Sequence, residues 1–342
     1  MHGGNIYSFA EKHGIAPESV MDFSANMNDF VRIKGMKIKS TYIKNYPESD
    51  LGAYKSILSG REFKPENIAI IPGLTPFIHS FMHSIDGISI IISPAFTEYL
   101  DASSWNSRVI LPMDTVESAP EIIKNYNFKA VFLVYPDNPT GQLISEKSLV
   151  KILDICVYKS AMLFLDESFI WFVNKREIDE GELIEKYPNL IIGRSLTKIL
   201  AIPGLRLAYL ISSAGHINEI EKRLDPWRIN QPALLYLLKS NMDFCQIAEK
   251  TEIERKYVIK SLEKAGLALV GHPRANFATF RLPDSVNGEG IKEFLAGNNI
   301  MIRVLDDYPE FGINYIRIGI KQHKKNIILI KSIEKYIGGF HD

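Results

Sequence analysis

The 342-residue sequence is poor in cysteine and tryptophan, with two and three respectively, and has no excess of either charge, its 40 Lys and Arg offsetting 40 Asp and Glu. The two cysteines, Cys156 and Cys245, lie in helix-like stretches without metal-ligand spacing. That excludes a disulfide framework and a thiolate metal centre, leaves no metal site to expect, and fits a reducing compartment. Balanced charge gives no reason to expect nucleic acid or an anionic membrane surface as the main partner. No apolar run approaches the roughly 20 residues that a membrane helix needs. The opening Met-His-Gly-Gly-Asn has no charged start followed by an apolar stretch, so a cytoplasmic protein without a signal peptide is expected. Internal repeats and low-complexity segments are absent as well.

What is present is an ordinary globular composition, 46% hydrophobic and 23% charged, over a length sufficient for two domains with buried cores. Strands are expected at 68–71, 88–92, 109–111, 130–134, 162–165, 190–192 and 208–211, and helices at 7–13, 51–58, 96–105, 117–126 and 146–158. Such alternation argues for an α/β fold, a mainly parallel sheet covered on both faces, with ligands at the carboxyl ends of the strands. Residues 226–232, Pro-Trp-Arg-Ile-Asn-Gln-Pro, mark a boundary. A long helical region to about 265 follows, then a smaller α+β unit with strands at 267–270, 277–281, 300–304 and 315–318 and helices at 290–298 and 322–336.

Chemistry concentrates where the apolar runs end. Lys198, in Ser195-Leu196-Thr197-Lys198, follows the 190–192 strand and precedes Pro203-Gly204-Leu205-Arg206. A lysine partly desolvated in such a place is a better nucleophile toward a carbonyl, whereas a solvated lysine after a strand does nothing special. Asp166 ends the 162–165 run, and a buried carboxylate there needs a partner. Asn138-Pro139-Thr140-Gly141 closes the 131–134 run, in isolation a strand-to-helix turn. Gly73-Leu74-Thr75 opens a helix, and the free amides of such an N-terminus bind phosphate. Gly3 and Gly4 let backbone amides approach an anion, with His2 and Asn5 adding side-chain donors, although alone the segment reads as a frayed terminus. Arg317 alternates with apolar neighbours in Tyr315-Ile316-Arg317-Ile318. An arginine so placed meets an anion or lies at a rim, and its planar fork suits a carboxylate. Arg303, in 300–303, is a second candidate of the same kind, and Arg274 a weaker one.

Taken in order, Asn138-Pro-Thr-Gly, Asp166-Glu, Ser195-x-Thr-Lys198 and Pro-Gly-Leu-Arg206 resemble the motifs of fold-type I pyridoxal-phosphate enzymes, and the likeness runs from His2 to the last strand. Within that fold, His2-Gly-Gly-Asn-Ile and Asp22-Phe-Ser-Ala-Asn26-x-Asn resemble the threonine-phosphate decarboxylases of cobalamin biosynthesis, close relatives of histidinol-phosphate aminotransferases. The resemblance implies an N-terminal arm, 1–40, packed on the small domain, a large cofactor-binding domain, 41–225, and a small C-terminal domain, 226–342. It implies pyridoxal 5'-phosphate held as a Schiff base by Lys198, with Asp166 on the pyridine nitrogen, Asn138 on the ring oxygen and Tyr99 stacked on the ring. The cofactor phosphate would lie on Gly73, Leu74, Thr75, Ser195 and Arg206, with Tyr46 reaching across a homodimer to the partner subunit's phosphate. At the glycine loop the sequence departs from the family's G-x-G-x-T-E pattern, since Ile71 and Pro76 replace a glycine and the glutamate. A proline in a helix's first turn leaves the fold intact. The implied substrate is a small phosphorylated amino acid, held by Arg317 at its carboxylate and by His2, Gly4, Asn5, Asn26, Asn138 and Arg303. The implied reaction is decarboxylation of L-threonine O-3-phosphate to (R)-1-amino-2-propanol O-2-phosphate, with Lys198 releasing the cofactor and reprotonating Cα. Transamination of histidinol phosphate with 2-oxoglutarate is the alternative, and a noncatalytic binding module on the same fold the third reading.

Overall fold

A computed structural model describes residues 3–31, 38–60, 62–103, 108–112, 118–176, 178–240, 243–308 and 310–339. A short arm strand, β1 (Met21–Asp22), precedes seven strands that share one sheet: β2 (Ile68–Ile71), β3 (Ser89–Ser93), β4 (Arg108–Pro112), β5 (Ala130–Val134), β6 (Met162–Asp166), β7 (Leu190–Ser195) and β8 (Ala208–Ile211). Their order is β2-β8-β7-β6-β5-β3-β4, with β8 antiparallel to both neighbours and the other pairs parallel. Unbroken apolar runs suit strands that helices cover on both faces. Alternate residues serve two cores: Ile68, Ile70, Val131 and Leu133 face one, Ala69, Ile71, Phe132 and Val134 the other.

Five further strands complete the chain: β9 (Ala268–Val270), β10 (Phe277–Arg281), β11 (Ile300–Met301), β12 (Arg303–Leu305) and β13 (Gly312–Gly319). β12-β13-β10-β9 form an antiparallel sheet backed by helices Phe244–Lys264, Gly288–Ala296 and His323–Gly338. The single strand expected at 300–304 is divided at Ile302. Its first half, β11, pairs in parallel with β1, so Met21 lies opposite Ile300 and the arm is stitched beside the small sheet. Its second half joins the small sheet, where Arg303 lies directly opposite Arg317.

The change from one core to the other comes later than residue 226. Helix Gln231–Lys239 buries Ala233, Leu234 and Leu237 with Leu51 and Tyr54 in the large core, whereas Val258 and Leu262 of the next helix belong to the small one. The helices expected at 96–105 and 117–126 are the shorter Glu98–Ala102 and Ala119–Ile123. Among the described residues no helix is long and apolar enough to cross a membrane.

Candidate active site

A cavity of about 410 Å³ opens at the carboxyl ends of β5, β6 and β7 and is closed by the arm and the small sheet. This is where a parallel sheet leaves a crevice between strand ends and the loops that follow. Asp166 ends β6, Ser195 ends β7, and Asn138 follows β5 within a turn organised by its neighbour Asp137. The buried Asp137 carboxylate accepts from the amides of Thr140, Gly141 and Gln142 and from the Thr140 hydroxyl. Burial raises its pKa to about 6 against those four bonds. Asn138, not Asp137, therefore faces the cavity.

Lys198 sits in the short helix Leu196–Ile199, half-buried in the cavity wall. Its amine is pushed down to about 8, first by burial, then by the positive charges of Arg317 and Arg206, against the pull of Asp166 and Asp22. The arm fixes this helix from the other side, since Asn28 donates through its backbone N–H to the Lys198 carbonyl and through Nδ2 to that of Ile199. Asp166 is pushed up by burial and drawn back by hydrogen bonds from Ser168 and Tyr99 and by the Lys198 charge. The Ser168 amide reaches Oδ1 at 2.9 Å and the Tyr99 hydroxyl Oδ2 at 2.7 Å.

Anion-binding groups gather on two sides. Gly73, with φ of +92°, caps helix Leu74–Ser84 without a side-chain bond, leaving first-turn amides facing the cavity. A Cβ at Gly73 would lie 2.8 Å from Arg206 Nη2, so only glycine lets the guanidinium reach that helix end. Ser195 and Thr197 share a hydroxyl–hydroxyl bond of 2.8 Å beside it. On the opposite side Arg317, only 6% exposed, donates to Asn138 Oδ1 and to the Ser24 carbonyl, and its Nε has no partner. No carboxylate lies within ion-pair distance of it among the described residues. Arg303 lines the same wall and holds both oxygens of Asp307 at 2.5 Å through Nη2.

Most of the expected site residues thus meet in one cavity: Gly4, Asn26, Gly73, Leu74, Thr75, Asn138, Asp166, Ser195, Lys198, Arg206, Arg303 and Arg317 all line it. Two expectations need correction. Tyr99 does not face the cavity; it is fully buried behind Asp166, and the aromatic of this segment that lines the wall is Phe96, nearer the end of β3. Asn5 is exposed and uses its side-chain oxygen to cap helix Ile6–His13 through the Ser8 amide, while its neighbours Gly3 and Gly4 line the cavity. His2 lies outside the described residues. Tyr46 is exposed, stacked on Trp227 at 4.4 Å, and lines no part of its own chain's cavity. Arg274 donates to the Asn174 carbonyl away from the site. Sequence reasoning missed Phe96, Phe169 and Tyr308 in the wall. Phe96 and Phe169 carried a usable signal, each lying four residues beyond an expected strand end.

The chain belongs to the class I and II aminotransferase family, whose model matches residues 19–322. Among relatives, it is 28% identical to the threonine-phosphate decarboxylase of Salmonella typhimurium over 99% of this chain and 97% of that one. It is 27% identical to histidinol-phosphate aminotransferase 2 of Archaeoglobus fulgidus, over 94% and 96%. It also matches the adenosylcobalamin biosynthesis bifunctional protein of Leptospira interrogans at 26% identity, spanning 41% of that longer protein. In three dimensions it superposes on histidinol-phosphate aminotransferase from Sinorhizobium meliloti, solved in complex with pyridoxal 5'-phosphate, with a TM-score of 0.81, 18% identity and coverage of 98% and 95%. The family depends on pyridoxal 5'-phosphate. This cavity suits that group on its own chemistry: an anion cradle of helix amides, hydroxyls and Arg206, a deep carboxylate for a cationic ring nitrogen, and a lysine of lowered basicity between them.

Proposed function

We propose that the protein decarboxylates L-threonine O-3-phosphate to (R)-1-amino-2-propanol O-2-phosphate, as a homodimer with a shared active site. The observation that carries this reading is that the buried guanidinium of Arg317 makes no ion pair among the described residues, the carboxylates of Asp22 and Asp307 acting on it only from beyond contact. A buried cation without a counterion is costly, and the Nε left unpartnered beside a cavity calls for an anion with planar acceptors. An amino-acid carboxylate meets both needs, and Arg317 would hold it across the cavity from Lys198.

Gly73, Leu74, Thr75, Ser195 and Arg206 would hold the cofactor phosphate, Asp166 the protonated ring nitrogen and Asn138 the ring oxygen. When bound, pyridoxal phosphate supplies an electron sink for the pair left at Cα when a bond there breaks. The protein's own part is to choose that bond and to manage the proton. Arg317 orients the carboxylate relative to the amine, and a second anchored anion removes the remaining rotation. Lys198 Nζ, neutral for a useful fraction of molecules near neutral pH, is positioned to attack a carbonyl and afterwards to return a proton to Cα once carbon dioxide has left. Asp22 shapes the arm for this purpose. Its Oδ1 accepts from the amides of Ser24 and Ala25 and from the Ser24 hydroxyl, setting the Ser24 carbonyl that Arg317 grips.

Transamination of histidinol phosphate is the competing reading, favoured by relatives of that name at similar identity. Histidinol phosphate has no carboxylate, so Arg317 would then serve 2-oxoglutarate in the other half-reaction. Supplying purified holoenzyme with threonine phosphate, and separately with histidinol phosphate and 2-oxoglutarate, decides between them. Steady release of carbon dioxide and aminopropanol phosphate supports decarboxylation. Glutamate formed without carbon dioxide replaces it by transamination, and inertness toward both leaves a noncatalytic binding module. Exposed Ile43, Tyr46 and Trp227 support the homodimer, and a monomer by sedimentation at assay concentration would remove that element.

A further inference from the structure

The turn after β12 brings Tyr308 into the cavity wall, 5% exposed, on the same side as Arg303 and Arg317. Three contacts define this turn. Arg303 grips the adjacent Asp307 through both carboxylate oxygens. Glu310 accepts from the Ser93 hydroxyl at the end of β3, tying the turn to the large sheet. The Tyr308 ring packs edge-on against Phe311, with centroids 6.2 Å apart, and Phe311 in turn against Tyr315. The aromatic ring is therefore fixed by its packing on Phe311, beside two guanidinium groups that face one another across β12 and β13.

No hydrogen bond of the Tyr308 hydroxyl to protein is found among the described residues, although nearly all of the residue is buried. Burial raises its pKa, the nearby charges of Arg317 and Arg303 lower it, the carboxylates of Asp307 and Asp137 raise it, and the net direction is up, so the group is a neutral O–H donor at physiological pH. A phenol in the cavity wall beside two guanidinium groups, with no acceptor among the described residues, is a donor able to meet an anion. Of the two guanidinium groups, Arg317 is bound to Asn138 and Ser24, next to the catalytic wall, while Arg303 lies toward Asp307 and the turn. Two anions on one small substrate would thus divide between the Arg317 side and the Tyr308 side.

We propose that Tyr308 is a specificity residue whose hydroxyl hydrogen-bonds the phosphate of a phosphorylated amino-acid substrate while Arg317 holds the carboxylate; this rests on the function proposed above. The test titrates wild-type and Tyr308→Phe holoenzyme with L-threonine O-3-phosphate, L-threonine and inorganic phosphate, following the absorbance of the bound cofactor to obtain Kd. Phosphate, which carries no amine, is read by competition. Losing one hydrogen bond to a charged group should raise Kd for threonine phosphate about 10- to 100-fold and weaken phosphate competition in parallel. Kd for L-threonine and the melting temperature should be unchanged. Tyr308→His, which keeps a ring N–H donor, should recover part of the lost affinity and provides a second variant should Tyr308→Phe fold poorly. Should wild type prefer the phosphorylated amino acid and Tyr308→Phe keep the full preference, or lose affinity for both amino acids equally, the assignment of Tyr308 is overturned. Wild type that binds threonine as tightly as its phosphate overturns the underlying phosphate reading instead.

Discussion

Lys198 provides the sharpest quantitative expectation. An ordinary lysine titrates near 10.5, and here burial and the charges of Arg317 and Arg206 bring the amine to about 8. At pH 7 that leaves about one molecule in ten with a neutral amine, against about one in three thousand for the unperturbed group, a gain of roughly 300-fold in nucleophile concentration. The gain can be read directly by trapping cofactor-free protein with pyridoxal and borohydride between pH 6 and 10 and mapping the label. Pyridoxal lacks the phosphate, so the profile reports the lysine and not the anion cradle. Labelling of Lys198 should rise with a midpoint near 8 and be absent in Lys198→Ala. In Arg317→Met the midpoint should move upward, because a positive charge that disfavours the ammonium is gone, yet remain below 10.5, because burial, the larger cause, stays. A wild-type midpoint near 10.5, or a midpoint that falls or does not move in Arg317→Met, would refute the electrostatic account.

Asp166→Asn should keep the fold and the melting temperature, since the amide oxygen can still accept from the Ser168 N–H while the Tyr99 hydroxyl turns to accept from Nδ2, and an unfavourably buried charge is removed. It should nevertheless lose turnover by about 100-fold or more, because the ring nitrogen loses its anionic partner; normal kcat with normal cofactor content would place Asp166 away from the ring. Tyr99→Phe removes one of the hydrogen bonds that favour the ionised Asp166, so its pKa should rise further and activity should fall first on the acid side of the pH profile. A kcat profile that matches wild type below pH 7 would show that the hydroxyl only fills space. Gly73→Ala places a Cβ against Arg206 at a left-handed φ, so Kd for pyridoxal phosphate should rise about 10-fold while Kd for pyridoxal stays the same, both measured by fluorescence titration. Equal losses for both ligands would mean general strain, not loss of the phosphate cradle.

What could be read in the sequence, and what could not, divides along the range of the interactions. Lys198, Asp166, Asn138 and Ser195 were legible because a parallel sheet places the residue after each apolar run at the mouth of the crevice, and the run is visible locally. Asn5 was misassigned to the ligand although its signal was local: an Asn three residues before Ser8 at a helix start is a cap, and the capping bond is what the structure shows. Tyr99 was misplaced because aromatic identity does not say which side of a helical turn faces a ligand. β3 ends at Ser93, which leaves Phe96 in the wall and turns Tyr99 inward onto a carboxylate 67 residues further along the chain. The same limit applies with more force to the arginines. Arg303 and Arg317 look alike in sequence, each alternating with apolar neighbours on a strand, and a fork that suits a carboxylate is present in both. They differ in what the fold supplies. Arg303 meets Asp307 four residues on, whereas the groups that Arg317 meets lie 179 and 293 residues away, at Asn138 and Ser24, and both are neutral. A carboxylate four residues downstream can be seen in a sequence; the lack of one in contact, among the described residues, with an arginine held by two such distant segments cannot. That lack is what turns an arginine of suitable shape into a charge that needs a ligand, so the residue type indicates which anion could bind and the tertiary contacts indicate that one is required.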